Sequence, residues 1–288
     1  MDTIKKKSIQ TKIALVLAII SIVISIYIYT LIIKSTEINN VSNNKIHGLL
    51  DRIEETGKIH AGYGVYPPYT IEDPNTKKVS GFSIELIQHI AKELNCGIEW
   101  HRINWNTMSA DLKRGEFDVI VDPIFQTIPR AREFSFTDPY AFFADGIAVV
   151  KKSDNRFEEF QDLNRKDIKI VVGQGWASEA FVRANLTEPE IVSVQTSSDL
   201  LQVFNEVMTG RADVAVADGA DAERFVNEHS REVKALWLDD PPAFMPAGFA
   251  LRPSDDEGAT FLTVCLRNLK STGVIEGLAK KYNVNTIK

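Results

Sequence analysis

The sequence predicts an α/β protein that carries two successive strand-and-helix runs behind one membrane-spanning helix. Three observations predict it. Residues 13–33 contain no charged side chain. From residue 58 onward, short apolar runs alternate with stretches whose apolar residues recur at helical spacing, the pattern of a parallel sheet flanked by helices. That alternation starts afresh near residue 168, and a local pattern recurs with it: Gly115-Glu-Phe-Asp118-Val119 leading to Asp122, then Gly210-Arg-Ala-Asp213-Val214 leading to Asp218.

The first element is the apolar run, IALVLAIISIVISIYIYTLII. At about 1.5 Å rise per residue it crosses a hydrocarbon core of roughly 30 Å. A cleaved signal peptide has a shorter apolar stretch, about 7–15 residues, ending in small residues. This run leaves through Leu31, Ile32, Ile33 and Lys34, so an uncleaved anchor over 13–33 is expected. Lys5, Lys6, Lys7 and Lys12 precede it, and the positive-inside rule keeps 1–12 in the cytoplasm as a basic tail. Everything from about Ser35 is then exported: in a bacterium, a single-pass protein of the inner (cytoplasmic) membrane with its main domain in the periplasm or outside the cell.

The chain has 288 residues, 44% hydrophobic and 25% charged, long enough for two lobes or one large α/β domain. Beyond residue 34 there remain 28 basic and 38 acidic residues, a net charge of −10, which gives no footprint for nucleic acid. Cys96 and Cys265 are too few for a stapling framework; whether they pair or sit as small core hydrophobes stays open. The five histidines show no metal-ligand spacing along the chain.

Residues 34–56 read as an Asn-rich linker followed by a short helix with Ile46, Leu49, Leu50 and Ile53 on one stripe, ended by Gly57. A strand over 58–65 follows, then an amphipathic helix over 83–94 with Ile84, Ile87, Ile90, Ala91 and Leu94 inward. Next come a strand over 98–103, a helix over 108–113 and a buried strand over 118–121. The second run has strands over 168–172, 191–194 and 213–217, with helices over 178–184 and 198–208. In both copies of the repeated pattern a helix stops at glycine, a strand follows, and an acid is expected at its end. Ligands of open α/β sheets bind beyond the carboxyl ends of strands, so two facing sheets would aim these ends into one cleft. Two unrelated α/β turns fit the same residues.

The motifs from Gly57 to Tyr282 resemble solute-binding protein family 3, the type II periplasmic binding proteins that serve as substrate-binding subunits of polar amino-acid ABC transporters. The resemblance is carried by Gly62-Tyr-Gly-Val-Tyr-Pro-Pro-Tyr69, Gly81-Phe-Ser-Ile-Glu-Leu86, Trp105 ahead of Leu112-Lys-Arg-Gly-Glu-Phe-Asp118, Thr127-Ile-Pro-Arg130 and Phe136-Thr-Asp-Pro-Tyr140. In the second half it is carried by Gly173-Gln-Gly-Trp-Ala-Ser178 and Gly210-Arg-Ala-Asp213. It implies a two-lobed clamshell with two hinge strands. Residues 57–146 plus 252–288 would form lobe 1 and 151–247 lobe 2, with hinges at 147–150 and 248–251. Helices carrying Phe261, Val264, Leu266 and Leu269, and spanning 274–282, would complete lobe 1.

Residue by residue, the resemblance makes Arg130 the guanidinium that takes a ligand's α-carboxylate, a planar fork that a lysine cannot copy. Asp218 becomes the acceptor of its α-amino group; as an alternative, Asp218 is a helix N-cap before Gly219. Tyr66, Trp105 and Tyr63 fall where the family lines its pocket with aromatics, and Trp176 adds one from the other lobe. Gly173-x-Gly175-x-x-Ser178 is a weak dinucleotide fingerprint and reads better as a helix start, with Gly175, Trp176 and Ala177 presenting backbone to a carboxylate. Trp100 and Trp237 are assigned to packing.

Two residues depart from the family's usual pattern. Pro123 and Phe125 stand where small or hydroxyl-bearing residues supply polar contacts, which changes the ligand class from a standard α-amino acid toward a carboxylated, amine-bearing relative. Asp122 beside them either receives a second cationic group or caps a loop. The expected function is a non-enzymatic, anchored solute-binding protein without cofactor or metal, partnered by an ABC permease. One alternative is a ligand-sensing subunit for a signalling membrane protein. A second is a cyclohexadienyl-dehydratase-like enzyme with Asp122 and Asp218 as acid and base. No nucleophile elbow or HExxH motif supports catalysis.

Overall fold

The computed structural model describes residues 21–32, 48–196 and 200–284. The chain divides into two units, Met1–His47 and Gly48–Lys288. In the first, residues 21–32 are helical and exposed throughout. Among the described residues no helix is long and apolar enough to cross a membrane. The rest of the expected span, the basic tail and the linker up to residue 47 lie outside the described residues.

The second unit holds both strand-and-helix runs. Its first part contains α1 (Leu49–Thr56), β1 (Lys58–Tyr63), β2 (Ile71–Glu72), β3 (Val79–Ser80), α2 (Phe82–Glu93), β4 (Gly97–Arg102), α3 (Met108–Arg114), β5 (Val119–Phe125), β6 (Ser135–Phe136) and β7 (Ala141–Asp145). Then come β8 (Ile147–Lys151), β9 (Lys169–Gly173), α4 (Ala177–Asn185), β10 (Glu190–Val194), α5 (Asn205–Met208), β11 (Val214–Ala217), α6 (Gly219–Glu228) and β12 (Val233–Leu236). The chain finishes with β13 (Ala243–Leu251), α7 (Asp256–Ser271) and α8 (Val274–Tyr282). Of the helix expected over 198–208, positions 198 and 199 lie outside the described residues. Beyond them it is a 3-10 turn over Leu200–Phe204 leading into α5.

One sheet has the order β4-β1-β5-β13-β6, with β7 also paired to β13; the other has the order β10-β9-β11-β8-β12. In each, the first three strands are parallel and the fourth antiparallel, so the sequence repeat is a repeat of topology and not a coincidence of two turns. Helix α2 covers the first sheet with Ile84, Leu86, Ile87 and Ile90 buried, as its periodicity requires, and Leu262, Leu266 and Leu269 of α7 join the same core. Leu94 and Val264 fall on solvent-facing positions instead, 37% and 57% exposed. Leu94 is the C-cap of α2, where the apolar stripe ends. On the opposite face Met108, Leu112, Phe117, Ile120 and Ile124 make a separate core beneath α3. The second sheet is likewise sandwiched, with Phe204 and Phe225 on one side and Val172, Val182 and Leu186 on the other.

The chain passes between the sheets twice, and both passages differ from the expected hinge strands. Asp145 still pairs with Ala243 in the first sheet, and Ile147 already pairs with Ala217 in the second. The outward passage is therefore Gly146 itself, at φ 78°, where a Cβ would meet the Phe181 ring at 2.7 Å. The return runs through 237–242, between the end of β12 and the start of β13. The apolar runs at 147–150 and 248–251 are buried sheet strands, because a buried extended backbone satisfies its polar groups only in a ladder.

Strand ends differ between the two halves as well. β11 stops at Ala217, and Asp218 caps α6 through bonds from Ala220 N–H and Asp221 N–H. β5 runs on through Asp122 to Phe125, so Asp122 lies inside a fully buried strand.

Candidate ligand-binding cleft

A cavity of about 580 Å³ lies between the two sheets. The first half contributes Tyr66, Trp105, Pro123, Phe125 and Arg130 to its wall; the second contributes Gly175, Trp176, Ala177 and Asp218. Sequence reasoning named all of these residues. Their convergence follows from the topology, since the loops after β1 and β5 and those after β9 and β11 leave the carboxyl ends of parallel strands.

Arg130 opens a 3-10 turn directly after Pro129, whose fixed φ starts the turn. Its Nη1 donates to the Phe125 carbonyl at 3.3 Å and its Nη2 reaches the Gly175 carbonyl on the other half at 3.0 Å. Lost hydration draws the guanidinium down to about 10, against the pull of Asp145 and Glu133, and it remains a cation at neutral pH. Asp218, 7% exposed, accepts the Tyr66 hydroxyl at 3.0 Å from the opposite half in addition to its two cap bonds. Burial nevertheless raises its pKa, because three neutral donors compensate a carboxylate only in part. Asp218 is thus both the helix cap and a wall of the cavity.

Two tryptophans are fixed by glycines at equivalent places. Trp105 lies on Gly64, just beyond β1, and Trp176 on Gly173, the last residue of β9. A Cβ on either glycine would stand 2.3 Å or 2.1 Å from the indole. The indole of Trp176 therefore occupies the close approach that a dinucleotide pyrophosphate would need over this turn. Phe125 stacks obliquely on Phe143, 4.9 Å between centroids, and gives this part of the wall an apolar surface.

Two expected site residues are not on the wall. Tyr63 is 7% exposed, packs edge-on against Trp100 at 6.1 Å and donates to Glu72 at 3.0 Å, on the sheet side of β1. Asp122 is fully buried and accepts the Gly64 N–H and the Thr70 hydroxyl, so it ties down the Gly64–Thr70 loop that carries Tyr66. Of the two roles open to it, the loop cap is the one the geometry realises. Burial without a cationic partner pushes it up to about 7. Trp100 and Trp237 pack as expected, the latter donating its indole N–H to the Glu158 carbonyl at 2.8 Å. Cys96 and Cys265 are free.

Sequence reasoning missed Asp145. Buried at the end of β7, it accepts the Ser178 hydroxyl from the first turn of α4 and the Gly146 N–H at 2.8 Å, linking the outward passage to the second half. Desolvation raises it to about 6. The signal available was an acid directly before a glycine at a strand-to-strand junction. Gln195 and Glu133 also reach the wall and no motif marked them, and Gln174, inside the Gly173–Ser178 motif, reaches it without having been assigned a role.

With this geometry established, comparison with known proteins identifies the lineage. The family model of bacterial extracellular solute-binding proteins, family 3, matches residues 59–285. The chain belongs to this family. Among its curated relatives, a probable amino-acid ABC transporter-binding protein of Haemophilus influenzae is 26% identical over 81% of this chain and 88% of its own length. The L-cystine-binding protein TcyJ of Escherichia coli is 25% identical over 82% of this chain and 86% of its own. Among solved structures, an ancestral amino acid-binding protein described as a precursor of cyclohexadienyl dehydratase superimposes with a TM-score of 0.67 at 29% identity, over 81% of this chain and 98% of that one. The two-sheet architecture is that of a family 3 solute-binding protein, and solute binding is its function.

Proposed function

We propose that this family 3 protein captures a small amino-acid-like solute, with Arg130 receiving a carboxylate and Asp218 an amino group, and delivers it to an ABC permease. One observation carries the reading: a guanidinium and a carboxylate from opposite sheets face the same cavity of about 580 Å³. Each charge is costly to bury without a counterpart, so a zwitterion that meets both favours the closed arrangement. Trp105, Tyr66 and Trp176 add faces for a cationic or aromatic side chain. The apolar Phe125 and Pro123 narrow the polar contacts to fewer than a hydroxyl-lined wall supplies. The names of the relatives, an amino-acid and a cystine binder, point to the same ligand class.

The enzymatic alternative needs two acids within reach of one substrate. Asp122 is sealed beneath the Gly64–Thr70 loop and does not share the wall with Asp218, so these two do not form an acid–base pair around one substrate, which favours binding over catalysis. A thermal-shift screen of amino acids, opines, polyamines and small carboxylates tests the reading. A hit raises Tm by mass action in the wild type and not in Arg130→Ala or Asp218→Ala. Equal shifts in both variants overturn it, and turnover of prephenate or arogenate would favour the enzyme.

The charge-free run over 13–33 supports an uncleaved inner-membrane anchor, with the binding unit on the outer side. Carbonate washing of membranes is expected to leave the chain in the pellet and detergent to release it; release by carbonate would refute the anchor.

A further inference from the structure

A second constellation stands on the first sheet, on the face of α3. His60 of β1 lies in register with Glu99 of β4, and His101 follows Glu99 by two residues, so the strand period of 2 puts all three side chains on one face. The five histidines show no metal spacing along the chain, and only the parallel β1–β4 pairing brings these donors together. His60 Nδ1 and His101 Nε2 are 3.3 Å apart. Glu99 Oε1 lies 3.9 Å from His60 Nδ1 and 3.7 Å from His101 Nε2. One donor atom from each residue falls within a span of 4.8 Å.

We propose that His60, Glu99 and His101 form a binding site for a divalent transition-metal ion of the zinc type, separate from the solute cleft. Two imidazole nitrogens bound at about 2.0–2.1 Å with a tetrahedral angle stand roughly 3.3–3.4 Å apart. The nitrogen pair already has that spacing, and a small rotation of Glu99 brings its carboxylate into range. The other Glu99 oxygen is held by Lys58 Nζ at 3.1 Å, which orients the carboxylate while leaving Oε1 turned to the imidazoles. The two rings stack at 5.4 Å between centroids, with His101 tilted against Phe117, so neither is free to swing away. Two histidines and one carboxylate suit zinc, nickel or copper better than calcium or magnesium, which prefer all-oxygen sets. Half-exposed Glu99, on edge strand β4, gives the ion a route in and leaves a coordination position for water. None of the three residues lines the solute cavity, so the ion and the solute bind independently.

The test is calorimetric titration of ZnCl2 into the metal-stripped full-length chain, alongside Glu99→Gln and His101→Gln, with Tm recorded with and without zinc. The wild type is expected to bind one zinc per chain and to gain Tm. Each variant should melt within a few degrees of the metal-free wild type, bind at least tenfold more weakly and gain no Tm. A cobalt-loaded sample should show the intense visible bands of a low-coordinate ion, lost in His101→Gln. No saturable binding in the wild type, or a zinc-induced rise in Tm that persists in both variants, overturns the site.

Discussion

The Tyr66 hydroxyl donates a 3.0 Å hydrogen bond to Asp218 Oδ1, joining the loop after β1 to the N-terminus of α6 across the cleft. Hydrogen bonds to charged groups contribute about 1.5–3 kcal/mol, and this one forms only when the two halves meet. In Tyr66→Phe the carboxylate keeps its two cap bonds but loses its link to the other half. Solute affinity is expected to fall by roughly tenfold, measured by titration calorimetry, with unfolding Tm in the absence of solute changed far less. Unchanged affinity would mean that Asp218 needs no partner from the first half.

Arg130 bridges the halves in the reverse sense, donating from the first to the Gly175 carbonyl of the second. A lysine keeps the charge but loses the planar fork. Arg130→Lys is therefore expected to bind the solute at least tenfold more weakly than wild type, and Arg130→Ala more weakly still. Recovery of wild-type affinity in the lysine variant would reduce the role of Arg130 to a point charge.

Much of this cleft was legible in the sequence because its residues sit in motifs whose chemistry is local: an arginine after Thr-x-Pro, an aspartate before Gly-Ala, a tryptophan in a glycine turn. Asp145 escaped because its importance arises from the chain's passage between sheets, a tertiary fact with a one-residue signature. Asp122 and Asp218 looked equivalent because each follows a short apolar strand. What separates them is strand length, and β5 is extended by pairing with β13 from far along the chain. The passages at Gly146 and 237–242 were misplaced for a related reason, since a short buried apolar run reads alike in either sheet. The histidine pair was invisible because only the parallel register of β1 and β4 creates it.

Asp122 makes stability depend on pH in a definite direction. Its pKa rises from 3.8 to about 7 on folding because burial removes water from the carboxylate faster than Thr70 and Gly64 replace it. A raised carboxylate stabilises the fold while protonated: its contribution is complete below about pH 4 and is lost as pH climbs through 7. Asp122→Asn keeps one acceptor oxygen for the Gly64 N–H, turns its NH2 to the Thr70 hydroxyl and cannot ionise. The variant's Tm minus that of the wild type is expected to become more positive between pH 4 and pH 8 in a calorimetric series. A difference independent of pH would assign the titration to other buried acids, such as Asp145.

The glycine beneath Trp105 offers a steric test with an internal control. Gly64 has room for no side chain, since a Cβ there meets the indole at 2.3 Å, whereas a Cβ on Gly277 in α8 meets nothing within 4 Å. Gly64→Ala must displace the ring or the loop, and overpacking of this kind typically costs about 1–3 kcal/mol. Gly277→Ala instead replaces a poor helix former in open space and should stabilise by about 0.5–1 kcal/mol. Denaturant unfolding is expected to move in opposite directions for the two. Because Trp105 lines the cavity, only Gly64→Ala should also shift the tryptophan emission and weaken solute binding. If Gly64→Ala binds solute as wild type does, the indole is not part of the recognition surface.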